Sequence, residues 1–219
     1  MAEAVIFDTE TTGKKDPVLI EAAWLEIKSI KPFNVGVSFC ERYNPGKAIE
    51  LGALATHHIY DEELVDCNPA ESFKLPDATK YIIGHNIDYD WKVINTPEVR
   101  RICTLALARK VWKNIDAYSQ SALLYFIDRP NARDVLRNAH SAETDVKICA
   151  SILEKICSEL DITSLESLWE LSEDARTPTI MPFGKHKGTL ITDIPLDYKK
   201  WLLAQDNIDP YLKDALLNG

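Results

Sequence analysis

Near its start the chain reads AVIFDTETTG, an apolar run that leads into two carboxylates, Asp8 and Glu10, separated by one threonine. Residues two apart in a β-strand project from the same face, so this spacing sets both acids side by side. Such a pair repels itself, and one member tends to keep its proton unless a cation or a basic group sits between them. Two later segments carry the same kinds of side chain: HNIDYDW, with His85, Asp88 and Asp90, and HSAETD, with His140 and Asp145. On a helix, residues two apart diverge by about 200°, so Asp88 and Asp90 cannot serve one site. Asp88 stands where a helix cap is expected. Asp90, in the first turn, is left free to point back toward the strand tips. His140 and Asp145 would lie about 140° apart on one continuous helix. They meet only if His140 precedes the helix and Asp145 lies inside it.

Positioning these groups requires strands and helices in a particular order. Three β-prone runs come first, over 4–8, 18–27 and 35–44. The short polar breaks between them predict an antiparallel meander. Residues 49–64 read as a helix. YIIG at 81–84 reads as a short strand covered on both faces, with a helix starting in HNIDYDWKVI. RRICTLALARKVW predicts a brief strand running into an amphipathic helix, followed by a helix over 119–126 and a loop around Pro130. The strongest helical signal lies at 140–160, where Val146, Cys149, Ala150, Leu153 and Ile156 recur at helical spacing. A meander followed by strand–helix alternation predicts an α/β fold with a mixed sheet of five strands flanked by helices. Residues 1–160 would form this domain and 161–179 a helical linker. Residues 180–219, of different texture, would form a small C-terminal module.

Composition narrows the classes further. With 219 residues, the chain can bury one full core and carry a small appended unit. The N-terminus has no basic and apolar leader, and no apolar stretch approaches the ~20 residues that span a bilayer, so a cytoplasmic protein without membrane contact is expected. The five cysteines are scattered and never spaced C-x-x-C, which argues against a zinc knuckle or a disulfide framework. A net charge of −9 argues against broad nonspecific attraction to nucleic acid. One stretch runs the other way. Residues 176–204 hold five Lys or Arg against two Asp, and within them Lys185 and Lys187 sit in the glycine-flanked turn GKHKG. That turn is either a phosphate contact or a solvated surface loop.

Taken together, D-x-E at the end of the first strand, H-N-x-x-x-D after the fourth and H-x-A-x-x-D opening the longest helix resemble the DEDDh 3′→5′ exonucleases over residues 3–160. The resemblance implies a ribonuclease H-like fold. Carried over position by position, it makes Asp8, Glu10, Asp90 and Asp145 the metal-binding acids and His140 the general base. It implies two Mg²⁺ ions, with Mn²⁺ able to substitute. Thr11 matches a position that contacts the terminal nucleotide, and His57 and His85 match positions near the substrate. Glu21 matches a structural glutamate of the second strand, expected to pair with a base such as Arg109. Cys103-Thr104 stands where many members have Asp-Thr, and with the tail MPFGKHKGTLITDIPLDYKKWL it points to a bacterial, DNA-cleaving branch. The implied activity is release of nucleoside 5′-monophosphates from DNA 3′ ends, in repair or recombination. The alternatives are an RNA-trimming exonuclease, an epsilon-like proofreading subunit of a polymerase, and an end-binding protein that has lost catalysis.

Overall fold

The computed structural model describes residues 2–205 and 208–218. The chain divides into two compact units, Met1–Ser172 and Glu173–Gly219. The boundary falls inside a helix that the sequence assigns to a linker, Leu165–Arg176.

In the first unit, β1 (Ala4–Thr11), β2 (Leu19–Ser29) and β3 (Asn34–Asn44) form the antiparallel meander. Helix α1 (Leu51–His57) follows, then β4 (Asn68–Pro69), β5 (Tyr81–Gly84), α2 (Asp88–Val93), β6 (Arg100–Cys103) and α3 (Thr104–Val111). Helices α4 (Gln120–Ile127), α5 (Arg129–Val135), α6 (Ala142–Glu159) and the part of α7 (Leu165–Arg176) up to Ser172 complete it. The sheet order is β4-β3-β2-β1-β5-β6, with β5 parallel to β1 and β6 parallel to β5. It is therefore six-stranded. The expected five are joined by β4, a two-residue strand at the edge beside β3.

β1 is central because nearly all of it is apolar and inaccessible: Ala4, Val5, Ile6 and Phe7 are fully buried. Helix α6 packs across β1 and β2 on one face, with α4 on its far side. It therefore buries more than one stripe: Ile148 and Ile152 are inaccessible as well as Val146 and Leu153. On the other face Phe7 stacks on Phe73 at 5.6 Å, within a cluster that includes Ile82 and Ile87. The parallel strands β1, β5 and β6 end on the same side, which brings together the residues following each of them.

Two helices differ from their sequence reading. The helix expected over 49–64 stops at His57, because His58 turns left-handed (φ 59°) and ends the run. Pro130 lies in the first turn of α5 rather than in a loop, a position where its missing N–H costs nothing.

The second unit holds a short bridge, Ile180 to Leu190, and the helices α8 (Leu196–Leu203) and α9 (Pro210–Asn218). Its own core is Met181, Ile191, Ile194, Leu202, Leu212, Ala215 and Leu216.

Candidate active site

β1 continues through both acids. Asp8 pairs with Ala23 and Glu10 with Glu21 on β2. From the first turn of α6, Asp145 reaches the same place, and one carboxylate oxygen each from Asp8, Glu10 and Asp145 lie within 4.8 Å of one another. Neither the Asp8 nor the Glu10 side chain makes a hydrogen bond or an ion pair among the described residues. Burial first, then the charges of Asp90, Asp145 and Glu10, push Asp8 well above the carboxylate range. Glu10 is pushed up to about 8 by burial and by Asp145 and Glu21. Asp145 is raised by burial too, but less freely, because the charge of His140 and a hydrogen bond from the His140 backbone oppose it. Three carboxylates at this range, without a basic partner for two of them, suit a hard divalent cation with oxygen ligands.

Asp90 is next to this triplet rather than in it. It is 4% exposed, and its Oδ1 accepts from the Thr9 backbone N–H at 3.0 Å and from the Thr9 hydroxyl at 2.7 Å. Burial raises its pKa against those two bonds, and the charge of Asp145 adds to the rise. Thr9, which the sequence analysis passes over, thus fixes α2 against β1. Asp88 is the first residue of α2 and pairs with Arg101 instead of capping the helix.

His140 is exposed, with a left-handed backbone (φ 66°), directly before Ser141. The Ser141 hydroxyl caps α6 by accepting from Thr144 N at 3.4 Å. This is the arrangement the spacing requires: His140 outside the helix and Asp145 inside. Glu21 holds that junction in place. Its Oε1 accepts from the Ala142 N–H at 3.0 Å and its Oε2 from Arg42 Nε at 3.1 Å. The expected partner Arg109 lies instead over the Tyr118 ring, 5.9 Å from its centroid.

A cleft of about 720 Å³ opens beside Glu10, lined by Thr9, Thr11, Gly13, Lys14, Glu50 and His57 among others. Thr11 contributes a wall, but its hydroxyl is taken by Tyr89 Oη at 2.7 Å and the Gly13 carbonyl at 3.2 Å. His57 is buried; its Nδ1 accepts from Ile59 N at 3.0 Å, and its Nε2, toward the Thr11 backbone, has no well-formed bond. Burial lowers its pKa. His85 does not serve as expected. Its Nε2 donates to the Tyr118 carbonyl at 2.7 Å and its Nδ1 meets the Thr104 hydroxyl at 3.1 Å, so both ring nitrogens are spent inside the protein. Burial pushes its pKa down to about 4, and the neutral ring is a structural strut. Lys185 and Lys187 are exposed in the second unit.

A mixed sheet of this order, with paired acids on its central strand and a third acid from the first turn of a long helix, has the ribonuclease H-like fold. In sequence and in fold the chain is similar to exonucleases of the DEDDh type. It is 27% identical to exodeoxyribonuclease 10 of Escherichia coli (strain K12) over 96% of both chains. It is also 27% identical to the DNA polymerase III subunit epsilon of Buchnera aphidicola subsp. Acyrthosiphon pisum (strain APS), over 64% of this chain and 67% of that one. Among solved structures, exonuclease X in complex with 5′ overhanging duplex DNA superposes with a TM-score of 0.61 at 23% identity, covering 77% of this chain and 99% of that one. Residues 170–209 match a family described as "Putative quorum-sensing-regulated virulence factor".

Proposed function

We propose that the chain is a metal-dependent 3′→5′ exodeoxyribonuclease that releases nucleoside 5′-monophosphates from DNA 3′ ends. The observation that carries this reading is the triplet Asp8, Glu10 and Asp145, crowded within 4.8 Å and, at Asp8 and Glu10, without a basic partner among the described residues. Asp8, Glu10 and Asp145 would hold divalent cations, Mg²⁺ in the first instance with Mn²⁺ able to replace it, and Asp90 would add its second oxygen. When bound, two such ions supply charge stabilisation for the attacking and the leaving oxygens of an in-line phosphodiester displacement.

The remaining work falls to the chain. His140, open to solvent, takes a proton from the attacking water. Its backbone bond to Asp145 and the Glu21 anchor at Ala142 keep the imidazole and the acid at fixed separation across the start of α6. The cleft beside Glu10 receives the terminal nucleotide against Thr11, Tyr89 and the buried edge of His57. Gly13 forms part of that wall, and a Cβ there would lie 2.2 Å from the Glu50 carboxylate, which would have to swing aside. Lys185 and Lys187 add phosphate contacts from the C-terminal unit. A cytoplasmic location belongs to the same proposal, being that of the DNA it would act on.

The test is release of label from 3′-labelled oligonucleotides with Mg²⁺, run side by side on single-stranded DNA, duplex DNA and RNA. Mononucleotide release from DNA, abolished by a chelator, is expected. Preference for RNA would move the chain to the trimming version of the same chemistry. No cleavage of any substrate would leave only an end-binding protein.

A further inference from the structure

In the second unit, the turn that carries Lys185 and Lys187 is built against helix α8. Gly184 and Gly188 both take left-handed backbones (φ 73° and 84°), so the chain folds back on itself, closed by Met181 N to Thr189 O at 2.8 Å and Gly188 N to Met181 O at 2.9 Å. The turn sits directly on Tyr198: a Cβ at Gly184 would come within 2.8 Å of the Tyr198 hydroxyl. His186 meets the Tyr198 ring edge-on at 4.6 Å, and Tyr198 leans on Trp201 at 5.3 Å. Between them lies a cleft of about 280 Å³ lined by Lys185, His186, Pro195, Asp197, Tyr198 and Trp201. Trp201 is 55% exposed, and Phe183 on the same turn 48%.

Neither the cleft nor its aromatic residues enter the chemistry proposed above. A large indole kept in water beside Lys185, in a chain of net charge −9, is not explained by packing, since the core of this unit is made by other residues. Flat π-faces flanked by ammonium groups suit one class of ligand, an unstacked nucleobase with its phosphates. The volume agrees: a cavity of about 150 Å³ accepts one benzene ring, so this one has room for a larger ring system. Asp197 on the rim disfavours a free anion on its own and leaves stacking as the main attraction.

We propose that the cleft between the 184–188 turn and α8 binds single-stranded nucleic acid, stacking a base on Trp201 and Tyr198 while Lys185 and Lys187 take the flanking phosphates. This rests on the reading of the chain as a DNA exonuclease and assigns the second unit a task apart from cleavage, that of holding the strand.

The experiment measures binding of the full chain to a labelled oligothymidylate by fluorescence anisotropy in a chelator, where cleavage cannot occur. Trp201→Ala should weaken binding by roughly 5- to 150-fold, the loss expected of one stacked base. Trp201→Phe should restore most of it, and circular dichroism should be unchanged. Lys185→Ala with Lys187→Ala should make the salt dependence shallower by about 1.4 in log–log slope, two single-strand phosphate contacts. An oligonucleotide with abasic sites should bind the wild type as weakly as the intact one binds Trp201→Ala. Equal affinity of wild type and Trp201→Ala, or of intact and abasic strands, would overturn the proposal. Failure of the exonuclease reading looks different: tight, Trp201-dependent binding with no nucleotide released when Mg²⁺ is added. Cleavage with an unchanged affinity in Trp201→Ala sinks the cleft alone.

Discussion

At the end of β1, three carboxylates crowd within 4.8 Å, two of them without a basic partner among the described residues, whereas the 184–188 turn holds Lys185 and Lys187 in open solvent beside exposed rings. The first arrangement costs the folded protein stability. Glu10 titrates at about 8 because burial and its neighbours disfavour its charge. The second costs little, since exposed charges are hydrated and screened. A site that must gather cations at one point keeps its charges crowded and dry. A surface that must hold a flexible polyanion spreads its charges and keeps them wet. The two regions should therefore respond differently to substitution, to salt and to pH.

The largest expected effect is at the crowded centre. Asp8→Ala should abolish cleavage and remove metal binding seen by calorimetry, yet leave the metal-free protein at least as stable as the wild type, because a repelled carboxylate is deleted. Turnover at the wild-type rate with unchanged metal stoichiometry would break the comparison outright. His140→Ala comes next. A positioned base is worth about 10²- to 10⁴-fold, so the rate should fall by that factor while metal binding persists. An active His140→Ala would make the exposed imidazole a bystander.

Much of this centre is legible in the sequence because its cues are local. The two-residue period aligns Asp8 with Glu10, the helical period read over 140–160 puts Asp145 inside α6, and the condition that the two residues meet puts His140 before the helix. What escapes depends on long-range register. Glu21 meets Arg42 because β2 and β3 pair those two residues directly, and no local pattern favours Arg42 over Arg109. Thr9 is assigned nothing until α2 brings Asp90 onto it. His85 looks like a ligand-facing histidine until Thr104 and the Tyr118 carbonyl close on both nitrogens. The edge strand β4 is two residues long and exists only through its pairing with β3. The left-handed His58 cuts the predicted helix short with no glycine to announce it.

Glu21 supplies a smaller and sharper test, since it touches neither the cleft nor a substrate. Glu21→Ala leaves the buried Ala142 N–H without its acceptor, which should cost about 1–3 kcal/mol, while Arg42 keeps Glu63 at 2.7 Å. Glu21→Gln preserves an acceptor and should lose less. If Glu21 positions Asp145 through the start of α6, metal affinity should fall in the order wild type, Gln, Ala. Unchanged affinity in Glu21→Ala would restrict its role to stability.

The smallest effect is on the pH dependence of the metal-free protein, and its sign follows from Glu10. The folded protein holds a proton on Glu10 up to about pH 8, while an unfolded chain releases it near the ordinary value of 4.5. Between those limits the folded state binds more protons than the unfolded one, so the contribution of this group to stability falls as pH rises. Glu10→Gln cannot titrate. In a chelator the two proteins should unfold at similar temperatures near pH 5, and the variant should gain on the wild type toward pH 8. Solvent at the half-buried Glu10 screens much of the full shift, so the gap is expected to be a few degrees, each kcal/mol moving the midpoint of a chain this size by about 2–4 °C. Mg²⁺ should reverse the order at pH 8, since it stabilises the ionised glutamate and has less to hold in the variant. Lys185→Ala with Lys187→Ala should show no such pH-dependent gap, because it leaves the carboxylates at the end of β1 untouched. A gap that closes rather than opens with rising pH would mean that Glu10 already has a compensating partner, and that the carboxylates at the end of β1 are less crowded in solution than their approach to within 4.8 Å of one another implies.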